Sequence, residues 1–398
     1  MNIYRIIFLL VLAVLAEDGF AQSRYQWVLD SLEKNNPGFK ALKAKNEAEK
    51  AEANATAFLD NPEVEFGYYW GAPSAIGKRW DLSVTQPFDM PSVYVHKSRI
   101  RKLMTEYSDN EYARHRIELI TETKNACADM IYYNAYVTLY AHCVESARRV
   151  AELFERKMEA GECGILEYHR VEMDLAAIEN KLHSAEAERD MMLDNLQMLN
   201  GGKPLAFDKD SFDEVVLPEN FEQWFEKAAA KNPELMLLKQ QQTLSEEQTK
   251  LAKAEWLPRM AVGYASENVV GETFRGVTVQ ATLPLWHQKG TIKKARALEQ
   301  YAQAEYDNTY ARQYNQLKGL YRKAQTLKHN LQNLKETFAK YNSEELLLKA
   351  FEAGEIKLES YLQQVEFYHD SEIEILEIEH ELEHTLLALE QFEIVIGE

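Results

Sequence analysis

Apolar and polar positions alternate strictly in two short stretches of the chain. Val64, Phe66, Tyr68 and Trp70 are separated by Glu63, Glu65, Gly67 and Tyr69; after GAPSAIGK, Trp80, Leu82 and Val84 are separated by Asp81, Ser83 and Thr85. A period of two predicts strands at about 63–70 and 79–86, a hairpin with one apolar, aromatic-tipped face. A weaker copy lies at about 259–266 and 276–283. There Met260, Val262 and Tyr264, then Val277, Val279, Ala281 and Leu283, share a face on either side of a loop around Gly271. Pro87 and Pro284 are expected to end the strands.

Elsewhere the period is helical. Residues 92–160 contain neither Gly nor Pro, enough for a rod of about 100 Å. A second outward rod is expected over 291–353. Tyr168, Leu175, Leu182, Arg189 and Leu196 recur at intervals of seven, as do Tyr361, Tyr368, Ile375, Leu382 and Leu389. Heptads of this kind predict coiled-coil returns from Gly164 to Gly201 and over 355–396. Each series starts at the Tyr that ends EAGECGILEY (159–168) or EAGEIKLESY (352–361). These decapeptides read as the tips of two long helical hairpins, where Gly161 and Gly354 let the backbone leave the helix and turn back.

The whole plan is written twice. Pro37, Pro62 and Pro87 recur as Pro233, Pro258 and Pro284, and each copy opens with Asn-Pro before a segment rich in Ala, Lys and Glu. The expected organisation is a first repeat over 22–202, a connector over 203–220 and a second repeat over 221–398, the helices closing into a ring of rods.

Composition narrows the function. The formal charge of −19 argues against nucleic acid as a partner and favours cations. The opening MNIYRIIFLLVLAVLAEDGFAQS has Arg5, an apolar run from Ile6 to Ala16 and a small-residue site ending at Ala21, and reads as a signal peptide over 1–21. No run reaches the length of a transmembrane helix, and no Cys follows the cleavage site to support a lipid anchor. Cys127 and Cys143 are 16 positions apart on one predicted helix, about 24 Å, and cannot pair within a chain. Cys163, beside the first tip, reads as an incidental free thiol rather than a metal ligand.

Four strands with an aromatic face resemble the staves of a membrane barrel but are too few to close one, and open edges cannot sit in lipid. Two or more copies must therefore pool their hairpins. His380–His384, HELEH, fits the pattern that sets two zinc ligands and a general base on one helical face. The heptad assigns Leu382 to the seam and both histidines away from it. The remaining tail offers only Glu390, Glu393 or Glu398 as a third ligand, so the match reads as coincidence. No phosphate loop or nucleophile elbow is present. The expectation is no enzyme, no cofactor and no metal.

The order Asn-Pro helix, strand pair, Pro, long helix and Gly turn, duplicated, resembles the TolC-type outer-membrane efflux proteins over essentially the mature chain. QPF at Gln86–Phe88 and LPL at Leu283–Leu285 are the most specific words. The resemblance implies a mainly α fold with a small β-barrel part: a homotrimer whose three subunits share a twelve-stranded barrel in the outer membrane, continued by an α-helical tunnel through the periplasm. It implies a periplasmic adaptor protein and an inner-membrane pump of the RND type as partners. The adaptor would meet the tips around Gly161, Gly164, Tyr168, Gly354 and Tyr361. The membrane face would be Phe66, Tyr68, Trp70, Trp80, Leu82, Val84, Val262, Tyr264, Val277 and Val279, against outer-membrane lipid. Family members often place Asp rings beyond the second tip glycine, where this chain has Ser360 and Gln363. Glu162, Glu167, Glu355 and Glu359 lie close by and serve either as an acidic entrance or as a solvated helix end.

The reading is a passive exit duct of a tripartite efflux system. The acidic balance resembles the CzcC-like cation-efflux branch, although drug exporters also have acidic tunnels. A periplasmic coiled-coil adaptor or scaffold is the alternative of another class, and a zinc peptidase resting on HELEH the third.

Overall fold

The structure is a computed structural model that describes residues 25–55, 59–214, 216–284 and 288–391. The signal peptide, Leu285, and Glu393 and Glu398 of the tail lie outside the described residues. In chain order the elements are α1 Gln26–Asn35, α2 Pro37–Ala55, β1 Glu63–Trp70, β2 Lys78–Phe88, α3 Pro91–Glu159, α4 Ile165–Leu199 and α5 Phe221–Lys231. They continue with α6 Pro233–Ala254, β3 Arg259–Val269, β4 Glu272–Thr282, α7 Gln288–Tyr341, α8 Glu344–Glu352 and α9 Leu358–Glu390. No described helix is long and apolar enough to cross a membrane. The chain forms two compact units. Among the described residues, one holds 25–40, Ile117–Phe221 and 317–391; the other holds Ala41–Arg116 and Glu222–Gln316.

The second unit contains one antiparallel sheet in the order β1-β2-β3-β4. Three strands outrun their expected bounds. β2 passes through Pro87 to Phe88, with Pro87 opposite Ala261. Proline is tolerated there because β1 pairs with β2 only as far as Thr85, so the flank that lacks an N–H meets no partner. β3 and β4 extend to Val269 and from Glu272 because the expected loop around Gly271 is a two-residue turn, with Val270 at φ 52° and Gly271 at φ 96°. Positive φ at both central residues gives the twist that a tight hairpin needs.

In the first unit the core at the base of the helices gathers Val28, Leu29 and Leu32 of α1, Ile120, Met130 and Ile131 of α3, Leu196 and Leu199 of α4, Phe207, and Leu387 of α9. α1 is amphipathic at i, i+1 and i+4, a pattern the duplicated prolines overshadow. Asn134 Nδ2 donates to the carbonyls of Phe207 (3.1 Å) and Lys209 (2.9 Å), fastening the connector to α3. The second outward rod is not continuous. It breaks at Asn342–Ser343, where Asn342 Oδ1 accepts from Glu344 N at 3.2 Å and opens α8. Short polar side chains compete for backbone donors and favour such a cap over helix interior.

The Asn-Pro pairs are helix starts built in one way. Asn36 Oδ1 accepts from Gly38 N at 2.6 Å, and Asn36 Nδ2 donates to the Leu199 carbonyl at 2.8 Å. Asn232 Oδ1 accepts from Glu234 N (2.8 Å) and Leu235 N (3.3 Å), and its Nδ2 donates to Gln313 Oε1 at 2.9 Å. Each Asn thus covers orphan donors of the helix that its Pro begins, while its amide ties that helix to a neighbour. Asn232→Ala is expected to cost about 1–2 kcal/mol, and Asn232→Asp less because it keeps the acceptor. Chemical denaturation of the detergent-extracted protein measures both.

Candidate functional site

Three features present chemistry: one face of the sheet, the two helical tips, and a cluster of side chains beside the base of the helices. In the sheet, cross-strand rows are set by the register. Val64, Val84, Tyr264 and Val277 stand in one row. Phe66 faces Leu82 and Tyr68 faces Trp80; Val262 faces Val279. With Trp70 two residues beyond Tyr68, all ten expected membrane-facing residues share one side. Nine are well exposed, Trp70 and Val277 each at 76%. The other side carries Glu65, Ser83, Ala265 and Gly276 in one row and Gly67, Asp81, Glu267 and Phe274 in the next. Arg79 pairs with Glu267 there at 2.8 Å. Among the described residues β1 and β4 each keep one edge without a partner strand.

At the tips, α3 and α8 end in the same motif. Gly161 sits at φ 74° and Gly354 at φ 76°. Gly161 N donates to Met158 O (3.0 Å) and Glu162 N to Lys157 O (2.8 Å); Gly354 N donates to Phe351 O (3.0 Å) and Glu355 N to Ala350 O (2.9 Å). This double bond pattern satisfies carbonyls that the helix end would orphan. A Cβ at either glycine would meet nothing within 4 Å, so the backbone angle alone calls for glycine. Behind the turns Phe154 stacks on Phe351 at 5.9 Å and Phe351 on Tyr361 at 4.4 Å. Lys157 Nζ lies over the rings of both Phe154 and Phe351.

The expected tip residues therefore divide. Gly161, Gly164, Gly354, Glu162, Glu355, Glu359, Ser360 and Gln363 are exposed. Glu167 is exposed too, but its carboxylate accepts from Gly164 N at 3.0 Å and so caps α4. Tyr168 is half-buried in the same cluster as Cys163. Tyr361 is buried, at 3% exposure, and burial with Glu344 nearby pushes its phenol up to about 12. It stacks on Phe351 of its own hairpin, which in turn stacks on Phe154 of the other. The pattern analysis missed Ile165 and Leu166, both exposed beside Gly164; two adjacent apolar residues opening a return helix were the available signal. Tyr361→Ala is expected to cost about 3 kcal/mol and to speed hydrogen exchange at the amides of 350–361, whereas Tyr361→Phe keeps the stack and the slow exchange.

The third cluster brings to HELEH a carboxylate that the local sequence did not offer. His380 and His384 face α3, where Asp129 Oδ1 lies 2.8 Å from the Nε2 atom of each, and the two Nε2 atoms are 2.9 Å apart. These three side chains form a group able to hold a metal ion. The partner that the sequence lacked near HELEH is 251 residues away from His380, where local spacing gives no sign of it. Burial works to raise the Asp129 carboxyl, but the two imidazoles overrule it and hold it down to about 2. Glu381, the base of a peptidase reading, instead pairs with Lys323 at 2.7 Å.

Comparison with known proteins accords with this geometry. Residues 28–202 match the family model of the outer membrane efflux protein. No curated protein sequence matches the chain. Among solved structures it is similar to the Campylobacter jejuni CmeC outer membrane channel, at TM-score 0.74 and 15% identity, over 93% of this chain and 85% of that one. It is similar to CusC, described in terms of transmembrane channel formation, at TM-score 0.77 and 11% identity, over 94% and 92%. It is similar to the Vibrio cholerae outer membrane protein VceC at TM-score 0.75 and 13% identity, over 93% and 96%. The chain has the fold of these outer membrane channels, and residues 28–202 are similar to the outer membrane efflux protein family.

Proposed function

We propose that the chain is the passive exit duct of a tripartite efflux system, working as a homotrimer with a periplasmic adaptor and an inner-membrane pump. The observation that carries this reading is the sheet: ten aromatic and aliphatic side chains share one side, nine of them well exposed, and among the described residues both edges are open. Lipid covers such an apolar side without cost, and only closure with further strands removes the edges. Three copies supply twelve strands. A soluble scaffold would leave nine large apolar side chains facing water, well beyond an ordinary surface patch.

The substrates favoured are cations. The chain carries a formal charge of −19, and Glu162, Glu355 and Glu359 are exposed at the tips, so the tips concentrate positive ions. The adaptor meets the exposed tip residues around Gly161, Gly164, Ile165, Leu166 and Gly354.

Neighbouring positions on opposite faces of β4 separate membrane duct from scaffold. Val279→Arg is expected to cost about 2–4 kcal/mol if it lies near the bilayer midplane and to abolish recovery of trimers from outer membranes, whereas Gln280→Arg leaves recovery intact. Equal recovery of both, or a native mass of one chain after detergent extraction, would refute the barrel.

The tips are tested by conductance of reconstituted trimers. Replacing Glu162, Glu355 and Glu359 together by Gln is expected to preserve assembly and reduce cation selectivity, most strongly at low salt where screening is weak. Wild-type selectivity in the triple variant at low salt would leave those glutamates as a solvated helix end.

A further inference from the structure

The inference rests on side chains of the first unit alone and is independent of the duct reading. Asp129 and Asn125 project from one stretch of α3, and His380 and His384 from one face of α9. Asp129 Oδ1 and the two Nε2 atoms form a triangle with edges of 2.8, 2.8 and 2.9 Å. Hydrogen bonds cannot satisfy all three edges. A ring nitrogen of a neutral imidazole carries either one proton or one lone pair, and an ionised carboxylate carries only lone pairs. Protons on both nitrogens would face each other across the 2.9 Å edge. A proton on one alone leaves the lone pair of the other against the carboxylate.

A single cation lying over the triangle makes every edge favourable. Ligand atoms bound to a first-row divalent ion at about 2.0–2.1 Å and at right angles lie about 2.8–3.0 Å apart. The observed edges are those of one face of such a coordination polyhedron. The surroundings have the character of an outer shell. Asn125 Oδ1 lies 2.9 Å from His384 Nδ1; accepting the Nδ1 proton there leaves Nε2 with its lone pair. The Tyr132 ring stacks on His380 at 4.5 Å and limits its rotation. A cleft of about 470 Å³, lined by Glu118, Glu122, Asn125, Asp129, Asn195 and Gln391, leads to Asp129. Its carboxylates favour the approach of a cation.

We propose that Asp129, His380 and His384 bind one divalent transition-metal cation of the zinc class per chain and thereby bridge α3 and α9. Two imidazoles and one carboxylate, with no thiolate, suit Zn²⁺, Co²⁺, Ni²⁺ or Cu²⁺ rather than a soft monovalent ion. Glu381, the general base of a peptidase reading, pairs with Lys323 and is not among the three converging side chains, so the proposal is of a binding site.

The test is titration of the full-length protein, extracted in detergent and stripped with EDTA, by ZnCl₂ in a calorimeter and by CoCl₂ in visible absorption. The expected result is one equivalent per chain, d–d bands from bound Co²⁺, and a rise of several degrees in the thermal midpoint with Zn²⁺. His380→Gln with His384→Gln should abolish all three, Asp129→Asn should weaken binding at least tenfold, and Asn125→Ala about tenfold. Oligomer mass and circular dichroism establish that the variants fold. Failure of the wild-type protein to take up stoichiometric Zn²⁺ overturns the proposal without any variant. So does stoichiometric uptake that survives in the folded double Gln variant, because the metal then sits on other histidines.

Discussion

A long helix has to end somewhere, and each end leaves backbone groups without partners. That constraint governs this chain more than any single core contact. α3 runs from Pro91 to Glu159 and ends where Gly161 and Glu162 donate to Met158 and Lys157. The return helix α4 starts where Glu167 caps the Gly164 amide. α6 starts at Asn232 and α8 at Asn342 and Ser343, each on a side-chain acceptor. Since each residue turns a helix by about 100°, moving a cap by one position would rotate everything beyond it. Tyr361 would then leave Phe351, and the stack joining the tips would be lost. The caps therefore set which side chains can meet.

Parity plays the same role in the sheet. A slip of one residue between any two strands would send the apolar set of one strand to the polar side. The turns fix the register: Val270 and Gly271 close one hairpin in two residues, and Gly71 N donates to Gly77 O at 3.0 Å at the neck of the other. Ten aromatic and aliphatic side chains consequently share one surface, while Glu65, Arg79, Asp81 and Glu267 share the opposite one. The apolar surface and the open strand edges follow from one arrangement.

The strands, the tips and the duplication were legible because each is local. A period of two over eight residues, a glycine after a long helical run, and Pro at matching intervals all depend on neighbours in the chain. The strand ends were misjudged where locality fails: Pro87 is harmless in β2 only because β1 pairs no further than Thr85, which no property of Gln-Pro-Phe reveals. The break at Asn342–Ser343 was readable in principle, since both are capping residues, but no Gly or Pro stands beside them to mark it. α1 and α5 fall inside the expected repeats, but the Asn-Pro pairs that follow them overshadowed them as separate helices. Tyr361 was placed at the tip, yet its burial depends on Phe351 and Phe154 arriving from two other helices.

The histidines of HELEH show how an argument from one seam goes wrong in a bundle. Leu382 does occupy the core, fully buried, and His380 and His384 do point elsewhere. In a two-stranded coiled coil elsewhere means solvent, but a helix with several neighbours has more than one packed side. The second side here is α3, which at Asn125 and Asp129 turns polar in a region that also supplies Ala126, Cys127, Met130 and Ile131 to the core. Two polar residues four apart on one helix, opposite two histidines four apart on another, place like with like at matching pitch. A partly buried polar group costs stability unless its partners satisfy it, and no distribution of protons turns all three edges of the triangle of two imidazoles and one carboxylate into hydrogen bonds. Chance readily gives the HELEH spelling in a helix so rich in Glu, but it does not readily give a carboxylate within 2.8 Å of both imidazoles.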